Sequence, residues 1–242
     1  MICWVVERAR AAGNVSRAIV ATDDERILDA VKSAGFEAVM TRGDHKSGTD
    51  RIAEVAASLP DADIVVNVQG DEPLISPETI ERAIHAIEEG VEGKTATGIV
   101  TTWEPMQSAA EVLNPDVVKV LVDEAERAIY FSRSPVPYPR DAVRVHGSIE
   151  AALSNQPGLL TSFHKHTGLY VYRRQVLLEF AAWPQSDLER LESLEQLRAL
   201  EHGVKIKAIK ASSSSIGVDT IDDLERVRRI VEEEACSLEY KL

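Results

Sequence analysis

One stretch of the sequence, residues 64–73, constrains the fold more than any other. It reads IVVNVQGDEP, a run dominated by valine and isoleucine that stops at a glycine, two carboxylates and a proline. Such a run is typical of a strand buried on both faces of a parallel sheet, and Gly70 and Pro73 would end it. Ligands of open α/β sheets bind beyond the carboxyl ends of the strands, so the sequence predicts chemistry at Asp71 and Glu72. Taken alone, these residues would also suit an ordinary turn.

Helical and extended patterns alternate along the chain. Apolar residues have helical spacing over residues 1–12, and short strands are predicted at 17–21 and 37–40 with a helix between them. This order predicts an α/β fold with a doubly wound, mostly parallel sheet. We expect one domain over residues 1–242, with a small dimerisation or lid subdomain within approximately residues 100–172.

Composition narrows the class of protein. The 242 residues are 44% hydrophobic, enough for a sizeable core, and the formal net charge is −13. A surface for nucleic acid or for an anionic membrane would need clustered Lys and Arg, so we expect neither partner. Cys3 and Cys236 do not have a metal-site spacing, and no signal peptide or long apolar span is evident. These features favour the reducing cytoplasm.

Three further stretches make the pattern specific when they are taken with residues 64–73. They are RGDHKSGTDR at 42–51, HTGLY at 166–170 and GVDT at 217–220. In this order, the four stretches resemble the 3-deoxy-manno-octulosonate cytidylyltransferases. The likeness runs from Met1 to about Arg229 and is interrupted around residues 143–162, where periodicity disappears and loops are predicted.

The resemblance implies a particular fold and reaction. The fold would be that of nucleotide-diphospho-sugar transferases, in a homodimer whose interface we place within residues 100–172. The reaction would join CTP and a 3-deoxy-2-keto sugar acid to give the CMP-sugar and pyrophosphate for lipopolysaccharide biosynthesis. No protein nucleophile is required, because the sugar hydroxyl itself attacks the α-phosphate.

Four residues are nucleotide-binding candidates by the resemblance: Arg42, Ser47, Gly48 and Gln69. In the resembled family, the loop equivalent to residues 42–51 holds the cytosine base. By residue type alone, Ser47 and Gly48 predict the N-cap of a helix, and the charged loop could be a solvated turn.

Four other residues are candidates for binding the sugar acid: His166, Tyr170, Glu195 and Gln196. A period of two places His166 and Tyr170 on one face of a strand, although a lone strand histidine is more often structural. An amphipathic helix is predicted to begin at Asp187, and Glu195 and Gln196 would otherwise be solvated residues beside its apolar stripe. That stripe consists of Leu188, Leu191, Leu194 and Leu197.

Two aspartates, Asp71 and Asp219, are the candidate catalytic and metal-binding residues by the resemblance. Mg²⁺ prefers one or two carboxylates together with phosphate oxygens, which suits this pair. Thr220 and Asp223 resemble a capping box, which leaves Asp219 free for another role. Elsewhere, Lys119 is predicted to protect an edge strand, and the serines at 212–215 have a flexible composition.

Alternatives stay open at this point. The sugar could be the 8-amino variant or sialic acid, the enzyme could be a metal-dependent glycosyltransferase, or the chain could be a non-catalytic relative. The sequence starts at the Met-Ile that ordinarily follows the family's first strand and its basic triphosphate-binding loop, so we expect a truncated chain. In that case a gap of roughly 9–10 Å would separate the strands near 17–21 and 64–68, and the chain would be poorly soluble.

Overall fold

Helices and strands alternate along the chain as the hydrophobic pattern predicts. The computed structural model describes residues 1–89, 96–218 and 220–239. A 3-10 helix also occupies Pro157–Ser162. The elements are α1 Ile2–Ala11, β1 Ile19–Thr22, α2 Glu25–Ser33, β2 Glu37–Met40, α3 Gly48–Ala57, β3 Ile64–Asn67, α4 Pro77–Glu89, β4 Ile99–Pro105, α5 Ala109–Leu113, β5 Lys119–Val122, β6 Ala128–Ser132, α6 Arg140–His146, α7 Ile149–Asn155, β7 His164–Arg173, α8 Arg174–Ala182, α9 Asp187–Glu192, α10 Gln196–Glu201, β8 Ile206–Lys210 and α11 Ile221–Glu239.

Two compact units divide the chain. The first contains Met1–Ser58, Val68–Arg82 and Ser212–Leu242, and the second contains Leu59–Asn67 and Ala83–Ala211. Strand β3 therefore belongs to the second unit, while the turn that follows it belongs to the first. None of the helices in the described ranges has both the length and the apolar character needed to cross a bilayer.

The first unit is built around a small parallel sheet in which β1 pairs with β2. Four buried residues from α1, β1, α2 and β2 form its core: Val6, Val20, Val31 and Ala38. Asp24 caps α2, because its side chain accepts a hydrogen bond from the Arg26 amide. Each element buries one apolar side against the others, as the helical spacing and short strands predict.

The second unit contains a six-stranded sheet whose central strand is β7. Strand β4 runs antiparallel along one edge of β7, and β5 and β3 pair with opposite ends of its other edge. Strand β8 extends the sheet in parallel with β4, and β6 extends it antiparallel to β5. Strands β3, β4, β5 and β8 thus share one direction, which confirms the predicted α/β class with a mostly parallel sheet. The inserted β7 nevertheless makes most of the neighbouring pairs antiparallel.

Strand β3 differs from its prediction in burial. Only Asn67 is buried, whereas Ile64, Val65 and Val66 are partly buried. The expectation of a strand buried on both faces is wrong, because in the described ranges β3 pairs on one side only, with β7. Strand β1 pairs with β2 in a separate sheet, so β1 and β3 are not partners, and the predicted gap between them stays a prediction.

The segment 143–162 is helical and not a series of loops. Helix α6 ends at Gly147, which has a φ of 88°, and the Ser148 side chain caps α7 by accepting from the Ala151 amide. Leu153 of α7 packs with Met106, Val112 and Phe163 in a core cluster of the second unit. Helices of seven residues complete fewer than two turns, which is too short for a clear hydrophobic period.

The single helix predicted from Asp187 is two helices, α9 and α10. Between them, Ser193 adopts a left-handed conformation with a φ of 52°, which ends the first helix. Leu191 is 81% exposed, so it does not belong to a buried stripe. The prediction failed because a single left-handed residue without glycine leaves no strong signal in the sequence.

Lys119 is buried and does not protect an edge. Strand β5 lies between β6 and β7, and the Lys119 side chain is fully enclosed. Its Nζ donates hydrogen bonds to the carbonyls of Asn114, Val117 and Arg133 at 2.7–2.8 Å. Burial lowers the pKa of this amine. The lysine therefore ties a loop to the end of β6.

Candidate active site

Asp71 lies on an exposed turn of the first unit, directly beyond β3. The Glu72 amide donates to the Gln69 carbonyl at 3.2 Å, which closes the turn. The Val218 amide donates to the Asp71 carbonyl at 2.9 Å. The structure thus brings the residue before Asp219 against the Asp71 backbone, while Asp219 itself lies outside the described residues.

The serine run is anchored to this region and is not a free linker. Ser215 donates its hydroxyl hydrogen to the Glu72 carboxylate. The Ser212 hydroxyl lies within hydrogen-bonding distance of the hydroxyls of Ser76 and Thr79, at 3.0 and 2.8 Å. The prediction of a flexible segment fails at these two serines because their partners come from distant parts of the chain.

The acidic turn fits a magnesium ion in its donor chemistry. Asp71 presents an exposed carboxylate, whereas the Glu72 carboxylate has a serine hydroxyl bound to it. The described residues hold no cluster of three or more His, Cys, Asp or Glu side chains that could bind a metal. Mg²⁺ at nucleotide sites takes one or two carboxylates and completes its shell with phosphate oxygens and water. Asp71 satisfies that requirement without such a cluster.

The loop before α3 carries three of the nucleotide-binding candidates. The Ser47 side chain caps α3 by accepting from the Asp50 amide at 3.2 Å, as predicted from residue type. A Cβ on Gly48 would have no neighbouring atom within 4 Å, so the space beside it is open. Arg42 is 68% exposed and forms ion pairs at 3.5 Å with Glu54 and 3.6 Å with Asp44. The loop therefore presents a cation and a helix N-terminus to solvent.

A hydrogen-bonded pair that the sequence did not reveal shapes this loop. The His45 side chain is only 5% exposed and is hydrogen-bonded through Nε2 to the Glu54 carboxylate. Glu54 also accepts from the Arg42 amide at 3.3 Å. The bond from His45 is the main cause that lowers the pKa of Glu54. No periodic signal pairs residues nine apart, so this contact depends on the loop folding back onto α3.

In the second unit, His166 and Tyr170 lie together on β7. Their ring centroids are 5.4 Å apart, which confirms the predicted shared face. His166 Nε2 is 2.9 Å from the Thr101 hydroxyl, and burial lowers the His166 pKa to about 3. Burial is also the main cause that raises the pKa of Tyr170. At neutral pH, the pair is therefore a neutral imidazole and a protonated phenol.

The corner between α9 and α10 carries Glu195 and Gln196. Glu195 is partly buried, and Gln196, the first residue of α10, is buried. Glu195 is close enough to Tyr170 for its negative charge to contribute to raising the phenol pKa. The structure thus groups His166, Tyr170 and Glu195, three of the four residues predicted to bind the sugar acid, and places Gln196 beside them in sequence.

Two clusters that the sequence did not reveal, one hydrogen-bonded and one ion-paired, hold this corner. The Glu192 carboxylate accepts from the Ser132 hydroxyl and from the Arg133 amide, each at 2.8 Å. Arg133 Nε donates to the Glu192 carbonyl at 2.7 Å. On the other side, Arg198 pairs with Glu189 at 3.2 Å, and both side chains are almost fully buried. Buried charges of this kind require partners, so the corner is held in one arrangement.

Comparisons with known proteins cover most of this chain. A family model described as cytidylyltransferase matches residues 1–206. A 3-deoxy-manno-octulosonate cytidylyltransferase from Trichlorobacter lovleyi is 49% identical over 228 residues, which cover 94% of this chain and 86% of that protein. One from Syntrophotalea carbinolica is 47% identical over 227 residues, with the same coverage.

Solved structures also match. A CMP:2-keto-3-deoxy-manno-octonic acid synthetase complexed with CTP has a TM-score of 0.82 and 39% identity, covering 96% of this chain and 88% of that chain. A 4-diphosphocytidyl-2C-methyl-D-erythritol synthase from Anaerococcus prevotii has a TM-score of 0.58 at 14% identity, covering 96% and 89% respectively. This second likeness shows the fold alone.

Proposed function

The chain belongs to the cytidylyltransferase family, and from this premise we propose that it joins CTP to 3-deoxy-manno-octulosonate. The products are CMP-3-deoxy-manno-octulosonate and pyrophosphate, and the activated sugar serves lipopolysaccharide biosynthesis. The geometric observation that carries the proposal is the group of His166, Tyr170 and Glu195. This group offers a neutral imidazole, a phenol O–H donor and a carboxylate acceptor to a hydroxylated acid.

We propose that residues of the first unit bind the nucleotide. Arg42 supplies an exposed positive charge, and the N-terminus of α3 beyond Ser47 supplies oriented amide groups. The open space beside Gly48 leaves room for a planar base against the backbone. Gln69, in the turn before Asp71, has a partly buried side chain and is the fourth proposed contact.

The reaction needs positioning more than covalent participation by the protein. The anomeric hydroxyl oxygen of the sugar forms a bond to the α-phosphorus of CTP. The bond between the α-phosphorus and the oxygen that bridges it to the β-phosphorus breaks, so that pyrophosphate leaves, and the hydroxyl proton goes to solvent. When bound, Mg²⁺ supplies neutralisation of the charge that develops on the phosphates. Asp71 would hold this ion, and we propose Asp219 as its second carboxylate ligand. His166, Tyr170, Glu195 and Gln196 fix the sugar so that two encounters become one oriented reaction.

We also propose the partners, the cellular location and the oligomeric state of the enzyme. CTP and the sugar acid are its partners, nucleic acid and membranes are not, and a cytoplasmic location fits a reaction that consumes CTP. A homodimer is proposed with an interface within residues 100–172.

The test is pyrophosphate release by the purified protein. Incubation with CTP, Mg²⁺ and 3-deoxy-manno-octulosonate should release pyrophosphate in amounts equal to the CMP-sugar formed. Parallel reactions with the 8-amino variant and with sialic acid should be at least about tenfold slower. Release with another acid alone would reassign the substrate. A protein that binds CTP but releases nothing with any of the acids would be a non-catalytic relative.

A further inference from the structure

Asn67, the last residue of β3, has a buried side chain whose amide nitrogen has no hydrogen-bond partner in the described ranges. The residue is 2% exposed, and its Nδ2 has no partner within the described ranges. Buried polar groups in native proteins are almost always hydrogen-bonded, and each exception calls for a physical explanation. A leucine has the same side-chain branching, with two methyl groups in place of the amide oxygen and nitrogen, and would leave no unpaired donor. The presence of an amide group at this buried position therefore requires an explanation.

The register of the sheet places Asn67 in the second unit's cluster of polar residues. Asn67 lies directly opposite Tyr170 in the pairing of β3 with β7. Thr101 lies opposite Tyr170 on the other side, in the pairing of β4 with β7. Directly opposed residues point to the same face of a sheet. Asn67, Tyr170 and Thr101 thus form one row across three strands.

His166 belongs to the same face. Its ring lies 5.4 Å from that of Tyr170, and its Nε2 lies 2.9 Å from the Thr101 hydroxyl. The Thr101 hydroxyl also lies 2.8 Å from the Leu169 carbonyl, so its hydrogen-bonding capacity is used within the protein. The Asn67 amide differs, because its Nδ2 has no hydrogen-bond partner in the described ranges.

We propose that Asn67 is a further sugar-acid-binding residue, whose side-chain amide donates a hydrogen bond to an oxygen of the acid beside Tyr170. This inference rests on the proposed function, since it takes the face around Tyr170 as the sugar site. The ligand chemistry is consistent, because a sugar acid offers carboxylate and hydroxyl oxygens as acceptors. A bound substrate would satisfy a donor that the protein alone leaves unpaired.

The experiment compares two replacements of Asn67 with a control on the same strand. Asn67→Leu removes the donor and keeps the side-chain branching, and Asn67→Asp replaces the donor with a negative charge. Val66→Ala alters the neighbouring position, whose side chain points to the opposite face by the alternation of a strand. Binding of 3-deoxy-manno-octulosonate and of CTP is measured by calorimetry, and KM is measured for both substrates.

The expected result is a loss of sugar affinity of about tenfold in both Asn67 variants, with CTP affinity unchanged. Asn67→Leu should keep the wild-type melting temperature or raise it, whereas Val66→Ala should lower it and leave sugar affinity within about twofold. Wild-type sugar affinity in Asn67→Leu would overturn this inference and leave the proposed function standing. A wild-type protein that does not bind the acid would overturn both.

Discussion

At the scale of single residues, burial sets the protonation state of the groups around the proposed sugar site. His166 is held neutral because its pKa of about 3 lies far below its ordinary value of 6.5. Tyr170 is held protonated because its pKa is raised above 10.0. Neither group changes charge near neutral pH, so both act as hydrogen-bonding groups and neither as a charge.

The His166 pKa predicts a pH dependence of stability. Below pH 6.5 the unfolded chain takes up a proton on this histidine, whereas the folded protein does not until about pH 3. The contribution of His166 is therefore fully present above pH 6.5 and is lost as the pH falls toward 3, by up to about 1.4 kcal/mol per pH unit. In His166→Gln, which cannot titrate, the fall in melting temperature between pH 7 and pH 5 should be smaller. An equal fall in the melting temperatures of the wild type and His166→Gln would contradict the lowered pKa of His166.

A second prediction at this scale concerns Asp71. Asp71→Asn should lower kcat at least about 100-fold, because the amide is a poor ligand for the ion that neutralises the phosphates. The melting temperature should change little, since the side chain is exposed. Asp61→Asn, which alters an exposed acid at the amino end of β3, is the control and should keep wild-type turnover. The same loss is expected for Asp219→Asn.

At the scale of elements, the α9–α10 corner is the feature that sequence patterns reveal least. Glu192 accepts hydrogen bonds from the Ser132 hydroxyl at the end of β6 and from the neighbouring Arg133 amide, and these bonds hold the corner before Glu195. In Glu192→Gln one acceptor oxygen becomes a donor facing other donors, so the corner should loosen. We expect KM for the sugar acid to rise severalfold and stability to fall by about 1–2 kcal/mol. KM for CTP should not change.

The control for this prediction is Glu179→Gln. Glu179 is exposed on α8 and accepts a hydrogen bond from Gln175 at 2.8 Å. It should leave both KM values as in the wild type. A Glu192 variant that loses stability without any change in the sugar KM would show that the corner has no role in positioning the substrate.

The loop before α3 supports a separate prediction. Arg42→Ala should weaken CTP binding by about tenfold and leave sugar binding unchanged, because the arginine is exposed beside the proposed base site. Arg17→Ala removes another exposed arginine, which pairs with Glu37, and is the matched control. Equal CTP affinity in both variants would make the loop an ordinary solvated turn.

Local patterns explain which elements the sequence predicts. Strand β2 lies at the predicted residues 37–40, and the caps at Ser47 and at Thr220 with Asp223 form as expected. These features depend on residues within a few positions of one another. The environment of Lys119 depends instead on the carbonyl of Arg133, fourteen positions away, and on a loop that turns back. No periodicity or composition in the sequence predicts these contacts of Lys119.

At the scale of the whole molecule, exposed apolar side chains support the proposed dimer. Ile129, Tyr138 and Val145 are 60%, 59% and 74% exposed, and all lie within residues 100–172. Light scattering should give about twice the 26.6 kDa mass of the chain. Val145→Glu should shift the protein toward the monomer without unfolding it, since the side chain is already exposed. A wild-type mass equal to that of one chain would contradict the proposed dimer.

The interleaving of the two units has a consequence for synthesis on the ribosome. Every residue of the second unit precedes Ser212, whereas the first unit needs the segment that begins there. Domains fold as units while the chain emerges, so the six-stranded sheet can form first. Asp71 gains its hydrogen-bonding neighbour Val218 only when the last part of the chain has been made. A nascent chain released before that point would carry a finished sheet and an incomplete acidic turn.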